Sequence, residues 1–359
     1  MGGRARIPGC RSVSTKRPHN RGAANLIPVK LMKRHFARTS HLFSILLLIV
    51  LPCVGMSRQN SMAAPSHQDG YTIRTRVDLV VLRATVRDRK GAPVAGLGKE
   101  DFQVFEDKVP QQIESFSHED VPVTVGLVID NSGSMRSKRS DVINAALAFA
   151  RSSNPEDQVF VVNFNEHVSM GLPGNVQFTG DQKQLEKALS RNKADGLTAL
   201  YDAVAAALEQ LKKGKWDKKV LIVISDGGDN ASSHTLAQIL STVNQSSAIL
   251  YTMGIFDPND DDRNPRVLKQ LSKISGGESF FPESLDEILP ICQQIAHDIR
   301  NQYTISYAPA NRKPDGTYRA IEVKARKSSS RGRLTVSTRA GYSAPLRPSP
   351  TSDALSSQP

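Results

Sequence analysis

Asp130-Asn131-Ser132-Gly133-Ser134 places one carboxylate and two hydroxyls at alternate positions of a short loop. Hard oxygen donors at that density suit a divalent cation of the Mg2+ type better than they suit a nucleophile. Mg2+ takes oxygen ligands in a tight octahedron and seldom draws all of them from protein. Two further positions offer the same chemistry. Thr198, in Gly196-Leu197-Thr198-Ala199-Leu200, puts a hydroxyl at a loop-to-helix junction; a plain helix N-cap is the alternative reading. Asp226, in Ser225-Asp226-Gly227-Gly228-Asp229-Asn230, adds a second carboxylate, in a stretch that also reads as an ordinary turn. Two carboxylates among five oxygen donors balance a divalent charge and leave room for an external anionic oxygen.

The elements that must position these residues are legible from periodicity. Val123 to Ile129 is a largely apolar run, the pattern of a strand buried on both faces of a parallel sheet. Strands are expected at 123–130, 158–164, 219–225 and 248–254. Helical spacing falls between them at 138–152, 181–191, 198–213, 233–246 and 264–275, as in Val142, Ala146 and Phe149. Alternation of this kind predicts an α/β fold with a doubly wound, mostly parallel sheet. In such folds ligands sit at the carboxyl ends of the strands, where Asp130 and Asp226 both fall. Ser284-Leu285-Asp286-Glu287 reads as a capping box ahead of an apolar helical run ending at Ile299, with Pro290 expected to kink or restart it.

The series Asp130-x-Ser132-x-Ser134, then Thr198, then Asp226 resembles the metal-ion-dependent adhesion site of von Willebrand factor type A domains. That resemblance covers residues 121–299. It implies a bound Mg2+, with Mn2+ or Ca2+ as alternatives. Ser132, Ser134 and Thr198 would be direct ligands, and Asp130 and Asp226 would act largely through water. A carboxylate of a protein partner would complete the shell. The flanking stretches Val77–Val86, Gly96-Leu97-x-x-x-Asp101-Phe102, Gln302-Tyr303 and Gly341-Tyr342 resemble the secreted bacterial, acidobacterial-type relatives of that family. The resemblance therefore extends over 70–345.

Both flanks read as strands. Residues 70–120 hold about four and 300–345 about three, and neither set suffices for an independent core. They are expected to pair into one β-sandwich, with the 121–299 domain inserted between its halves. Residues 346–359 are rich in Pro and Ser and are expected to be disordered.

Charge distribution removes the obvious partner of a basic chain. The formal net charge is +12, yet residues 1–63 hold eleven Lys/Arg and no acid, leaving 36 basic against 35 acidic residues beyond them. The basic character belongs to the leader, and nucleic acid is not the expected partner. Lys33, Arg34 and Arg38 precede the apolar run Leu42–Leu51. A run of about ten residues fits a signal peptide and falls short of the roughly 20 needed for a span. Met32 is then the expected start of translation, with the mature protein secreted, periplasmic or held at the envelope. Pro52 before Cys53 disfavours a lipid anchor. Cys10 and Cys53 fall in the leader, so Cys292 remains alone and no intrachain disulfide is expected.

Other features read more plainly. Asp257-Pro258-Asn259-Asp260-Asp261-Asp262 lacks the glycine and the distal glutamate of a calcium loop, since Asp262 and Leu268 stand there. His167, His234 and His297 show no ligand spacing. Residues 300–359 carry a net charge of +8, which permits envelope association. No G-x-S-x-G or H-E-x-x-H occurs, so an enzyme is not expected. Expected instead is a metal-dependent adhesion or protein-binding module, with an envelope scaffold as the alternative.

Overall fold

The computed structural model describes residues 79–256, 263–326 and 334–346. The leader, the Asp257–Asp262 loop and the tail beyond Leu346 lie outside the described residues. The chain opens with β1 (Val80–Arg87), β2 (Phe102–Glu106), β3 (Val109–Gln111) and β4 (Ile113–Ser117). There follow β5 (Thr124–Asp130), α1 (Arg139–Ser152), β6 (Gln158–Phe164), β7 (Val168–Met170), α2 (Gln182–Ser190) and α3 (Leu200–Lys212). Next come β8 (Lys219–Ser225), α4 (Leu236–Gln245), β9 (Ile249–Gly254), α5 (Pro265–Ser275), β10 (Ser279–Phe280) and α6 (Ile288–Arg300). The chain closes with β11 (Tyr303–Tyr307), β12 (Tyr318–Ala325), β13 (Thr335–Ser337) and β14 (Gly341–Ser343).

The central sheet runs in the order β10-β9-β8-β5-β6-β7, and only β7 is antiparallel to its neighbour. Every residue of β5 is buried, as expected when helices cover both faces. From β5 the chain moves outward to β6 and β7, then returns to β8 on the other side of β5 and continues to β9 and β10. The order therefore reverses at the β5–β8 pair. In open α/β sheets the crevice beyond such a reversal is where ligands bind.

The flanks form two four-stranded antiparallel sheets, β13-β1-β11-β4 and β14-β12-β2-β3. Each draws strands from both ends of the chain, so the expected pairing of the flanks is what the structure shows. One apolar core lies between them. Leu82 and Ala84 of β1, Phe102 of β2, Tyr303 and Ile305 of β11 and Val323 of β12 belong to it. β12 alternates exposed and buried along its whole length, the period of two that one buried face demands.

Several local expectations are corrected. Among the described residues the C-terminal flank contributes four strands, because Gly341–Ser343 pairs with β12 as a separate strand. Ser284 makes no side-chain cap bond, so the expected capping box does not form there. A 3-10 turn at Leu285–Glu287 precedes α6. Pro290 then sits in the first helical turn, where a missing N–H costs nothing. Thr198 is not an N-cap either: Ala199 holds that position, without a side-chain cap bond. Cys292 is buried within the apolar core, and burial pushes its thiol up to about 12. Among the described residues no helix is long and apolar enough to cross a membrane.

Candidate metal and ligand site

β5 ends at Asp130 and β8 at Ser225, and the two strands are hydrogen-bonded neighbours, with Ile129 opposite Ile224. Their register alone brings Asp130 and Asp226 to one edge of the sheet. The loop after β5 is anchored by Asn131, which is buried. Its amide N–H donates to the Phe164 carbonyl at 2.7 Å, and its side-chain nitrogen donates to Asn163 Oδ1 at 3.2 Å. Arg139 Nε donates to Asn131 Oδ1 at 3.2 Å, tying the loop to the start of α1. The loop after β8 turns at Gly227, whose φ is +80° and where a Cβ would lie 2.5 Å from the Asn264 carbonyl oxygen. Only glycine fits that turn without strain.

Four of the five expected site residues form one hydrogen-bonded cluster. Ser132 Oγ and Ser134 Oγ are 3.1 Å apart, and Ser134 Oγ donates to Asp226 Oδ2 at 2.5 Å. Asp130 Oδ1 accepts from the Ser132 amide at 2.8 Å, and Asp130 Oδ2 accepts from Ser225 Oγ at 2.6 Å. Thr198 lies on the adjoining loop. The Gly133 amide donates to the Gly196 carbonyl at 3.2 Å, and the Thr198 amide donates to Asn230 Oδ1 at 2.8 Å. This backbone is therefore held between the two carboxylate loops. Among the described residues no hydrogen bond joins the Thr198 hydroxyl to the cluster.

The electrostatics are unusual for so small a site. Asp130 is 1% exposed and Asp226 2%. Burial, then the charge of Asp226, pushes the Asp130 carboxyl up to about 6, against the pull of Ser225 and Ser132. A buried carboxylate whose hydrogen-bond donors are neutral, and whose charged neighbour is another acid, is poorly compensated. A divalent cation among two carboxylates and three hydroxyls would supply that compensation, and the donor set is the hard-oxygen type such a cation takes. Among the described residues no group of three His, Cys, Asp or Glu side chains is placed to hold a metal. The residues here fit a metal only if hydroxyls count as ligands.

Three supporting residues were not legible as such. Ser225 reads as the last residue of a strand, yet it orients Asp130. Asp229 Oδ2 accepts from the Tyr201 amide at 2.9 Å and so satisfies a free amide in the first turn of α3. Asn230 positions Thr198. The polarity of 225–230 was the available signal; which oxygen meets which amide depends on the β5–β8–α3 packing. Of the three histidines, His234 Nδ1 lies 2.6 Å from Asp202 Oδ1. Burial would raise Asp202, but the Ser233 and His234 amides and side chains overcome it and hold the carboxyl at about 2.

Residues 125–228 match the family model described as the von Willebrand factor type A domain. The matched stretch is less than half of the chain, and with its doubly wound sheet it is similar to a domain of that type. A curated relative, an uncharacterized protein of Synechocystis, is 24% identical over 184 residues, which are 50% of this chain and 42% of the relative. The chain thus spans less than half the length of that protein. Among solved structures, a von Willebrand factor type A protein from Catenulispora acidiphila is 15% identical at a TM-score of 0.46, covering 69% of this chain and 74% of that one. BatB from Bacteroides thetaiotaomicron is 16% identical at a TM-score of 0.39, covering 49% of this chain and 98% of that one.

Proposed function

We propose that the protein is an exported adhesion or protein-binding module. It would hold a divalent cation at Asp130, Ser132, Ser134, Thr198 and Asp226 and capture a carboxylate of a protein partner. The supporting observation is the buried pair Asp130 and Asp226, linked through Ser132 and Ser134, with Asp130 bonded among the described residues by neutral donors. When bound, Mg2+, or Mn2+ or Ca2+ in its place, supplies a coordination position to which an acidic oxygen is drawn. The chain's own residues do the rest. Ser225 and the Ser132 amide fix the Asp130 carboxylate, and Asp226 orients the Ser134 hydroxyl. Leu197 is 54% exposed beside Thr198 and offers a partner an apolar contact next to the charged one. The activity is binding rather than catalysis, and the basic leader with its apolar run supports export.

A melting curve of the metal-stripped chain tests the site. Mg2+ at 100 times its Kd should add about 2.7 kcal/mol, a rise of roughly 5–10 °C for a domain of this size. Asp130→Asn and Asp226→Asn should abolish the rise while the apo fold persists. A rise that survives both substitutions would place the cation elsewhere. The scaffold alternative predicts stabilisation by metal with no partner binding. The adhesion reading requires that partner capture be lost in EDTA and in folded Asp130→Asn.

A further inference from the structure

At the opposite edge of the central sheet, where β8 and β9 begin, a cavity of about 450 Å³ opens between the α4–β9 connection and the outer face of the β1–β11 sheet. Arg83 of β1 and Arg339, between β13 and β14, both line it, with Val81, Ile249 and Ser247 as walls. Arg339, Ser247 and Val81 also line an adjoining cavity of about 630 Å³, whose rim carries Arg312 and Lys313. Volumes of this size fit a small molecule.

The two guanidiniums are poorly neutralised. Arg83 Nη1 donates to Thr304 Oγ1 at 2.7 Å. Arg339 donates from Nε to the Gly341 carbonyl at 2.9 Å and from Nη2 to the Asn244 carbonyl at 2.7 Å. Among the described residues neither has a carboxylate within ion-pair distance. Carbonyls and a hydroxyl satisfy donors without cancelling charge, and each guanidinium has five N–H groups to place. Desolvation lowers both groups from the usual arginine value, with Asp217 opposing it at Arg83 and nearby tyrosines opposing it at Arg339. Lys218 lies close enough that burial and the charge of Arg83 bring its ammonium down to about 7. Asn244 Oδ1, on a residue lining the larger cavity, is buried without a hydrogen-bond partner. Asp217 is the acid in the smaller cavity, and it is exposed.

We propose that this cleft is an anion-binding site, separate from the candidate metal site, which takes a small molecule bearing a carboxylate or phosphoryl group between Arg83 and Arg339. The planar fork of each guanidinium matches either oxyanion. Val81 and Ile249 contact the less polar part of the ligand, and Arg312 and Lys313 add attraction at the mouth. The site uses the seam between the α/β domain and the sandwich, a common position for ligand pockets. Seven residues of β8 separate it from the carboxyl edge, roughly 20 Å at the rise of a strand.

The test is calorimetric titration and thermal melting of the whole chain in EDTA, so that the metal site is silent. Sodium phosphate and sodium citrate are compared with sodium chloride at matched ionic strength. A saturable response to phosphate, citrate or both, absent with chloride, is expected, and the two arms tell phosphoryl from carboxylate selectivity. Arg83→Gln and Arg339→Gln should each weaken it at least tenfold, and Arg312→Ala about threefold. Where Arg339→Gln does not fold, Arg83→Lys takes its place, keeping the charge but losing the fork, with the same tenfold loss expected. Equal responses to all three salts, or wild-type affinity in the Arg83 variants, would overturn the proposal. Neither result depends on whether Asp130 and Asp226 hold a metal.

Discussion

Asp130 and Glu106 are both buried acids, 1% and 2% exposed, and their surroundings differ in kind. Glu106, in the sandwich, accepts from Tyr307 and Tyr342 hydroxyls at 2.8 and 2.9 Å, and Arg319 Nη1 lies 3.6 Å from its other oxygen. Arg319 is itself fully buried, and further acceptors from Asn311, Lys313 and Asp315 complete it. The charge of Glu106 is thus matched inside the fold. Asp130 receives a hydroxyl and an amide, and the charge that acts on it most strongly is that of Asp226. A buried acid with an internal counter-charge serves stability. One facing a second acid at the end of a strand costs stability while it stays uncompensated, which is the pattern the proposed cation site would relieve.

The sharpest way to break this contrast is to neutralise each acid in turn. Glu106→Ala should cost about 3–5 kcal/mol in urea denaturation, because it leaves a buried arginine with Asp315 as its remaining acid and two tyrosine hydroxyls without their acceptor. Asp130→Asn in EDTA should cost under about 1 kcal/mol or stabilise the fold, since it removes an uncompensated charge. Equal losses would mean that Asp130 is as fully compensated as Glu106.

Lys218 extends the contrast to a buried cation. Its ammonium donates to the Ile299 carbonyl, and burial with Arg83 nearby lowers its pKa from 10.5 to about 7. Between those values the unfolded chain binds the proton and the folded chain does not. Stability should therefore rise with pH from about 7 towards 10.5, by up to about 1.4 kcal/mol per pH unit. Lys218→Met should lack that rise, and paired denaturation curves at pH 7 and 9 measure the difference. The smallest effect belongs to Arg136 and Asp195, an ion pair at 3.1 Å with both side chains exposed. Arg136→Ala should change stability by no more than about 0.5 kcal/mol; a larger loss would show that even solvated charge pairs matter here.

The sheet and the primary site residues were legible because they depend on local pattern. The apolar runs of β5, β6, β8 and β9 fall within a residue of their expected limits, and Asp130 and Asp226 follow from where those runs stop. Short elements with no run of their own were not legible. β7 and β10 span three and two residues, respectively, and they owe their existence to a neighbouring edge. Ser284 has the right residue types around it for a capping box, yet Glu287 Oε2 accepts from the Glu283 amide instead. Arg87 reads as a strand residue at a turn; its bonds to Glu278, at 2.9 Å, and to Asp298 join segments about two hundred positions apart. No window of sequence contains such a pair. Arg83 and Arg339 were equally silent, since the cavity between them exists only once both domains have formed.

The insertion of one domain within another also sets an order of events during synthesis. Arg83 and its partner Thr304 are 221 positions apart, so β1 must wait for almost the whole α/β domain before β11 exists to pair with it. The α/β domain joins strands through nearby crossovers and can close as soon as β10 and α6 are made, bringing its two ends together. That shortens the remaining loop closure from a search over two hundred residues to the docking of two adjacent stumps. Until then β2 and β3 have only each other to pair with, and β1 and β4 present unpaired edges. These are the first strands of the fold to be made and the last to be satisfied. The early half of the sandwich is therefore the segment most in need of a chaperone.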